Sequence, residues 1–149
     1  MTGTVIEMAR NRADATQVAA HLRACDAMFV PPLGGRVDLD AYARKIVQRA
    51  ERFEAWSGDL LAGLVAVYCN HAERGSAFVT SVSVLPPRHG EGIALRLMQG
   101  CISYVRATGF ARIELEFDLE NGAATALYRK LGFTATRAGG PTQILQLGL

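Results

Sequence analysis

Asn121-Gly122-Ala123-Ala124-Thr125-Ala126-Leu127-Tyr128-Arg129-Lys130-Leu131-Gly132-Phe133 predicts a helix with both of its ends written into it. Asn is a strong N-cap type, because its side-chain oxygen accepts from N–H groups that the first turn leaves unpaired. Gly132 falls at the C′ position, where the chain leaves the helix in the left-handed region. Arg129 and Lys130 stand in the last turn, at the negative end of the helix dipole. The small residues after Asn121 permit close packing, or a ligand lying across the helix start. Tyr128 sits two turns in, where its phenol can donate a proton to a leaving thiolate. A core tyrosine with a hydrated tip gives the same pattern.

Upstream of this helix, Arg112 to Asp118 sets Ile113, Leu115 and Phe117 against Glu114, Glu116 and Asp118, the alternation of a strand. Before it, Gly92 to Arg106 carries Ile93, Ala94, Leu97, Met98, Cys101, Ile102 and Val105 on one helical stripe, ended by Gly109. A further strand, Ser76 to Leu85, runs into this helix through Pro86-Pro87-Arg88-His89-Gly90-Glu91-Gly92. The prolines stop the strand. Gly90 and Gly92 let the backbone approach a ligand closely. The first turn of the helix adds unsatisfied N–H groups and a positive dipole end, so the turn has the makings of a pyrophosphate site. A plain strand-to-helix turn, its glycines serving only the chain path, is the other reading. The segment is neither the G-x-G-x-x-G dinucleotide fingerprint nor a P-loop, since the GK[ST] ending is missing.

The N-terminal half supplies elements without a specific motif. Val5 to Met8 predicts a first strand. Asp14 and Gln17 form a capping-box pattern ahead of Ala15, Val18, Ala19 and Leu22, predicting a helix that ends near Cys25. Phe29 to Gly35, with two prolines and two glycines, reads as a loop. Asp38 caps a second helix with Leu39, Tyr42, Ala43, Ile46 and Ala50 on one face. Phe53 to Ser57 and Leu60 to Cys69 predict a hairpin whose second arm is apolar enough to be buried on both faces. Thr134 to Thr136 and Gln143 to Leu147 predict a closing hairpin. The resulting order, β-α-α-β-β-β-α-β-α-β-β, is a mixed α/β sheet and not a doubly wound layout.

The 149 residues fit one domain, 1–149, with enough chain for a core. Half the chain is hydrophobic and a net charge of +2 is too small to argue for nucleic acid or an anionic membrane, so any anion site must be local. No apolar run reaches the ~18 residues of a membrane span. The three cysteines Cys25, Cys69 and Cys101 form no CxxC pair, which argues against a disulfide framework or a zinc site. A cytoplasmic protein with reduced thiols and no metal is expected, and a homodimer is compatible.

On these residues the chain resembles the GNAT superfamily of acetyltransferases over roughly residues 76 to 133. The family's first motif reads V-x-P, two spacers, then [QR]-x-x-G-x-[GA]. Val84 and Pro86 stand at the strand end, and His89-Gly90-Glu91-Gly92-Ile93-Ala94 follows. The second motif, N-x-x-A-x-x-L-Y-x-K-L-G-F, is met by Asn121, Ala124, Leu127, Tyr128, Lys130, Leu131, Gly132 and Phe133 without a gap. His89 departs from the usual Gln/Arg, and Glu91 puts a carboxylate in a phosphate loop, which Arg88 can offset.

The resemblance implies a mostly antiparallel sheet of about seven strands flanked by about four helices, with the strands 76–85 and 112–118 splayed apart. It implies an N-acetyltransferase using acetyl-CoA, with the pantetheine paired to backbone groups of Val82 and Val84. The pyrophosphate would rest on His89 to Ala94, and Asn121 would touch the pantetheine. A backbone N–H near Val82 would hold the oxyanion. Tyr128 would be the acid for the thiolate, and Glu116 the base for the amine. Glu116 also reads as a structural carboxylate, and Glu114, Asp118 and a water relay stay open as bases. Phe29 to Leu33, Tyr42, Tyr68 and Thr80 are acceptor-site candidates. A Cys69–His71 thiol–imidazole pair for covalent transfer has no third orienting group to support it. The acceptor is expected to be a small-molecule amine, with a protein or peptide amine as the alternative. A non-catalytic acyl-CoA-binding module is a third reading, against which Tyr128 argues.

Overall fold

A computed structural model describes residues 5–26, 38–69, 75–118, 122–139 and 142–149 of the chain. Seven strands form one sheet: β1 (Ile6–Arg10), β2 (Ala50–Ser57), β3 (Leu60–Tyr68), β4 (Ser76–Val84), β5 (Arg112–Asp118), β6 (Thr134–Gly139) and β7 (Thr142–Gly148). Their spatial order is β1-β2-β3-β4-β5-β7-β6, and only β4 and β5 pair in parallel. The four helices are α1 (Ala15–Cys25), α2 (Leu39–Arg49), α3 (Ile93–Thr108) and α4 (Gly122–Leu131). This is the expected mixed sheet and element order. None of these helices is long and apolar enough to cross a membrane.

The helices cover both faces. Leu97, Met98, Cys101, Ile102 and Val105 of α3 pack with Tyr128 of α4 on Phe53, Val65, Val67 and Ile113. Val18, Leu22, Ala43 and Ile46 of α1 and α2 pack with Trp56, Leu64 and Ala66 on the other face. β3 is therefore buried on both sides, as its continuous apolar run predicts. Each large side chain so buried stabilises the fold by roughly 1.5–3 kcal/mol. Gly63 matters to the spacing: a Cβ there would come within 2.8 Å of Ile93 Cγ2, so its absence lets the start of α3 sit directly on β3.

The capping signals are realised. Asp14 and Gln17 form the reciprocal capping box of α1, and the Asp38 carboxylate accepts from the N–H groups of Asp40 and Ala41. The sequence expectation that β2 starts at Phe53 is corrected to Ala50, which is also the C-cap of α2. Two of the three missed residues, Glu51 and Arg52, are charged, but Arg52 is buried. Its Nε lies 3.3 Å from Glu54 Oε2, and its two terminal nitrogens each donate at 3.0 Å, to the carbonyls of Val47 and Ala13. Glu54, 0% exposed, also accepts from the N–H groups of Arg12 and Ala13 and from Trp56 Nε1. This set ties the segment between β1 and α1 to β2, and so fixes where α1 lies.

Candidate active site

The alternation of β4 slips phase in mid-strand. Ala77 and Val79 face α3, and then Val82 and Val84 do. The reason is a bulge: Ala66 opposes Ser81 and Val67 opposes Val79, leaving Thr80 as the extra residue. Beyond this point β4 also leaves β5. The parallel ladder runs from Ser76–Arg112 to Val79–Leu115 and stops. The rest of β4 stays on β3, while β5 continues on β7. The expected splay is therefore present.

The orientation of the backbone in the gap follows from one bond. Leu85 N–H donates to the Ala62 carbonyl, so Leu85 and Ser83 direct their backbone groups toward β3. Alternation then turns those of Val82 and Val84 toward the gap. One of these is already engaged: His89 Nε2 donates to the Val84 carbonyl at 2.8 Å. The expectation of free groups at both residues is thus corrected at that oxygen.

At the far end of the gap Gly90 and Gly92 have φ of 87° and 77°, a region that side chains disfavour. Gly92 is the N-cap of α3, and the first helical bond runs from Arg96 N–H to its carbonyl. The N–H groups of Ile93, Ala94 and Leu95 consequently have no acceptor within the helix.

A cavity of about 530 Å³ joins these features. Val82, Val84, His89, Gly90, Gly92, Ile93 and Ala94 line it as the sequence suggests, and so does Tyr128. Glu91 does not line it: its carboxylate lies 3.3 Å from Arg88 Nη1, which offsets its charge. Tyr128 is 7% exposed and packs edge-on against Phe133, with ring centres 5.8 Å apart. Burial pushes its phenol up to about 12, so the proton is retained at neutral pH.

Glu116 is exposed and does not line the cavity. Ile113 and Leu115 face α3, so alternation puts Glu116 with Glu114 on the opposite sheet face, just past the last β4–β5 pair. On that face Tyr42 Oη donates to the Thr80 carbonyl at 2.7 Å, satisfying a group at the bulge. Tyr68 lies beside Thr80 as well, and burial raises its phenol. The three acceptor-site candidates thus cluster around the bulge. Asn121, Phe29 and His71 lie outside the described residues, as does the side chain of Asp118. Among the described residues no group of three His, Cys, Asp or Glu could hold a metal ion.

Ala124 and Leu127, which share a helical face with Tyr128, also line the cavity, as do Ala126 and Lys130 from the side of the helix. The spacing of Ala124, Leu127 and Tyr128 was a readable signal. Ser83 and Cys25 reach it from the α1 side, so the cavity passes through the sheet. No local pattern announces those two.

A family model described as the acetyltransferase (GNAT) family matches residues 29–133. The chain belongs to that family. Among relatives, it is 39% identical over 64 residues to mycothiol acetyltransferase of Streptosporangium roseum, covering 43% of this chain and 18% of that protein. It is 31% identical over 85 residues to N-alpha-acetyltransferase 30 of Schizosaccharomyces pombe, covering 54% of this chain and 55% of that one. The chain thus spans little more than half the length of either relative, or less. The PaiA N-acetyltransferase of Thermoplasma acidophilum, solved in complex with coenzyme A, shares the fold with a TM-score of 0.74. It is 12% identical, over 97% of this chain and 99% of that one.

Proposed function

We propose that this GNAT-family chain is an acetyl-CoA-dependent N-acetyltransferase that moves acetyl directly from the thioester to a primary amine of a small molecule. The cavity through the β4–β5 gap carries the reading, because it joins an anion-binding helix start to a buried, protonated phenol. Acetyl-CoA supplies the activated acyl group when bound. The N–H groups of Ile93, Ala94 and Leu95 suit a pyrophosphate. The N–H groups of Val82 and Val84 and the Val82 carbonyl suit the pantetheine amides, with one N–H left for the developing oxyanion. Asn121 joins this set by its motif position. Tyr128 gives its proton to the leaving sulfur. Glu116, on the opposite face, takes a proton from the incoming ammonium. Phe29, Tyr42, Tyr68 and Thr80 border the acceptor. A cytoplasmic setting belongs to the same proposal, since Cys25, Cys69 and Cys101 are free thiols.

A peptide N-terminus is the second reading, favoured by the likeness to N-alpha-acetyltransferase 30. Thiol release from acetyl-CoA, measured across an amine panel beside a peptide set, separates the two. Release with neither set would sink both.

The phosphate turn has its own test. A Cβ at Gly92 meets nothing within 4 Å, so Gly92→Asp costs only the left-handed strain of about 1–2 kcal/mol. Its carboxylate would face a pyrophosphate at short range, where like charges repel by several kcal/mol at most. Acetyl-CoA affinity by calorimetry should fall at least about tenfold, and Gly92→Ala should lose much less. Equal affinity for Gly92→Asp and the parent would remove the pyrophosphate from this turn.

A further inference from the structure

His21 is 3% exposed, and both of its ring nitrogens are engaged. Nδ1 lies 2.8 Å from the Leu61 carbonyl oxygen, which can only accept, so Nδ1 carries the hydrogen. Burial lowers the imidazole pKa, against the pull of its two hydrogen bonds, so the ring is neutral at pH 7 and Nε2 is bare. Ser83 Oγ, 2.8 Å from Nε2, therefore donates its single proton to it. Cys25 Sγ stands 3.7 Å from the same nitrogen, and burial pushes that thiol up to about 11. Ser83 and Cys25 line the cavity. With its proton directed at His21, the Ser83 hydroxyl offers only lone pairs to whatever enters.

We propose that Ser83 Oγ takes a proton from the acceptor nitrogen as that nitrogen attacks, passing its own proton to His21 Nε2. This rests on the acetyl-transfer reading above and adds a second proton acceptor, on β4, to Glu116. The C–N bond forms as the C–S bond breaks, and the Tyr128 proton goes to sulfur. An N–H bond of the acceptor breaks as a new O–H bond forms on Ser83, whose former O–H proton moves to Nε2. The imidazolium keeps its Nδ1–H on the Leu61 carbonyl and returns the extra proton to solvent after the product leaves, while Tyr128 regains one from solvent, so the relay cycle releases no net proton. Ser83 is the catalytic residue here and His21 its positioning residue.

The groups that meet His21 are Cys25 from α1, the Leu61 carbonyl from β3 and Ser83 from β4. None of the three carries a charge at neutral pH. Protonation of His21 blocks the relay, so kcat should rise with pH through a limb below 6.5 and stay level above it. The test uses thiol release from acetyl-CoA with tyramine and with a peptide bearing a free N-terminal alanine. Ser83→Ala should lower kcat at least tenfold, leave the KM for acetyl-CoA within twofold and erase the acid limb. Ser83→Thr, which keeps the hydroxyl, should restore most of the rate and the limb. Nitrogen NMR of the imidazole should show hydrogen on Nδ1 in the parent protein. Full kcat with the limb intact in Ser83→Ala overturns the relay, as does a loss that Ser83→Thr does not rescue. Hydrogen on Nε2 also overturns it, and this readout stands even if Ser83→Ala fails to fold. No thiol release by the parent protein with either probe overturns the acetyl-transfer reading, and the relay with it.

Discussion

Tyr128→Phe should lower kcat by about 10²- to 10⁴-fold, the usual contribution of a positioned general acid, while acetyl-CoA binds within about threefold of the parent affinity. The substitution removes one oxygen and keeps the ring, so the edge-on contact with Phe133 and the wall of the cavity are preserved. The effect should fall on turnover because the phenol acts on a charge that exists only as the thiolate departs. With its pKa pushed up to about 12, Tyr128 holds its proton throughout the range in which the protein can be assayed. The basic side of the kcat profile should therefore show no loss from this group up to about pH 10. Steady-state thiol release and calorimetry, run on the same preparations, check both halves. A Tyr128→Phe protein with full kcat on its best acceptor would take the acid role away from this residue.

The second large effect is on stability. Glu54→Ala should lower the unfolding free energy by about 3–5 kcal/mol, the range for removing one partner of a buried ion pair. The carboxylate is fully buried and satisfies four donors: Arg52 Nε, Trp56 Nε1 and two backbone N–H groups. Deleting it leaves the Arg52 guanidinium, itself buried, without its counter-charge. Glu7→Ala is the control, because the Glu7–Arg12 pair lies in solvent, where such pairs contribute less than about 1 kcal/mol. Denaturant unfolding of the two variants should separate them clearly. Equal midpoints would mean that the buried network adds no more than a surface contact. Because this network fixes the entry to α1, Glu54→Ala should also loosen Cys25 from the cavity and His21 from Ser83.

What the sequence revealed of this fold depended on the range of each interaction. The C-terminal end of α4 was legible because Lys130 and Gly132 act within a turn of where they stand. The bulge was legible in retrospect, since Val79 and Val82 break the two-residue period of β4. The start of β2 was not, because Arg52 and Glu54 look like surface residues until their buried partners are known. The insertion of β7 between β5 and β6 has no local signature, as either arm of the closing hairpin could have met β5. In the site, the turn from His89 to Ala94 and the face of Tyr128 were readable as contiguous motifs. His21 and Ser83 stand 62 residues apart and meet only because α1 lies over β4, so no spacing rule could join them.

The ladder between β4 and β5 holds four residue pairs, whereas β5 is matched to β7 along its whole length. The sheet is therefore two plates joined along a short seam. A ligand threaded into the gap would lengthen that seam by hydrogen bonds the chain cannot make alone. Any molecule bound there preferentially in the folded state raises its stability by mass action. Occupancy and mechanical cohesion would then become one property, with the seam lengthened by whatever molecule fills the gap.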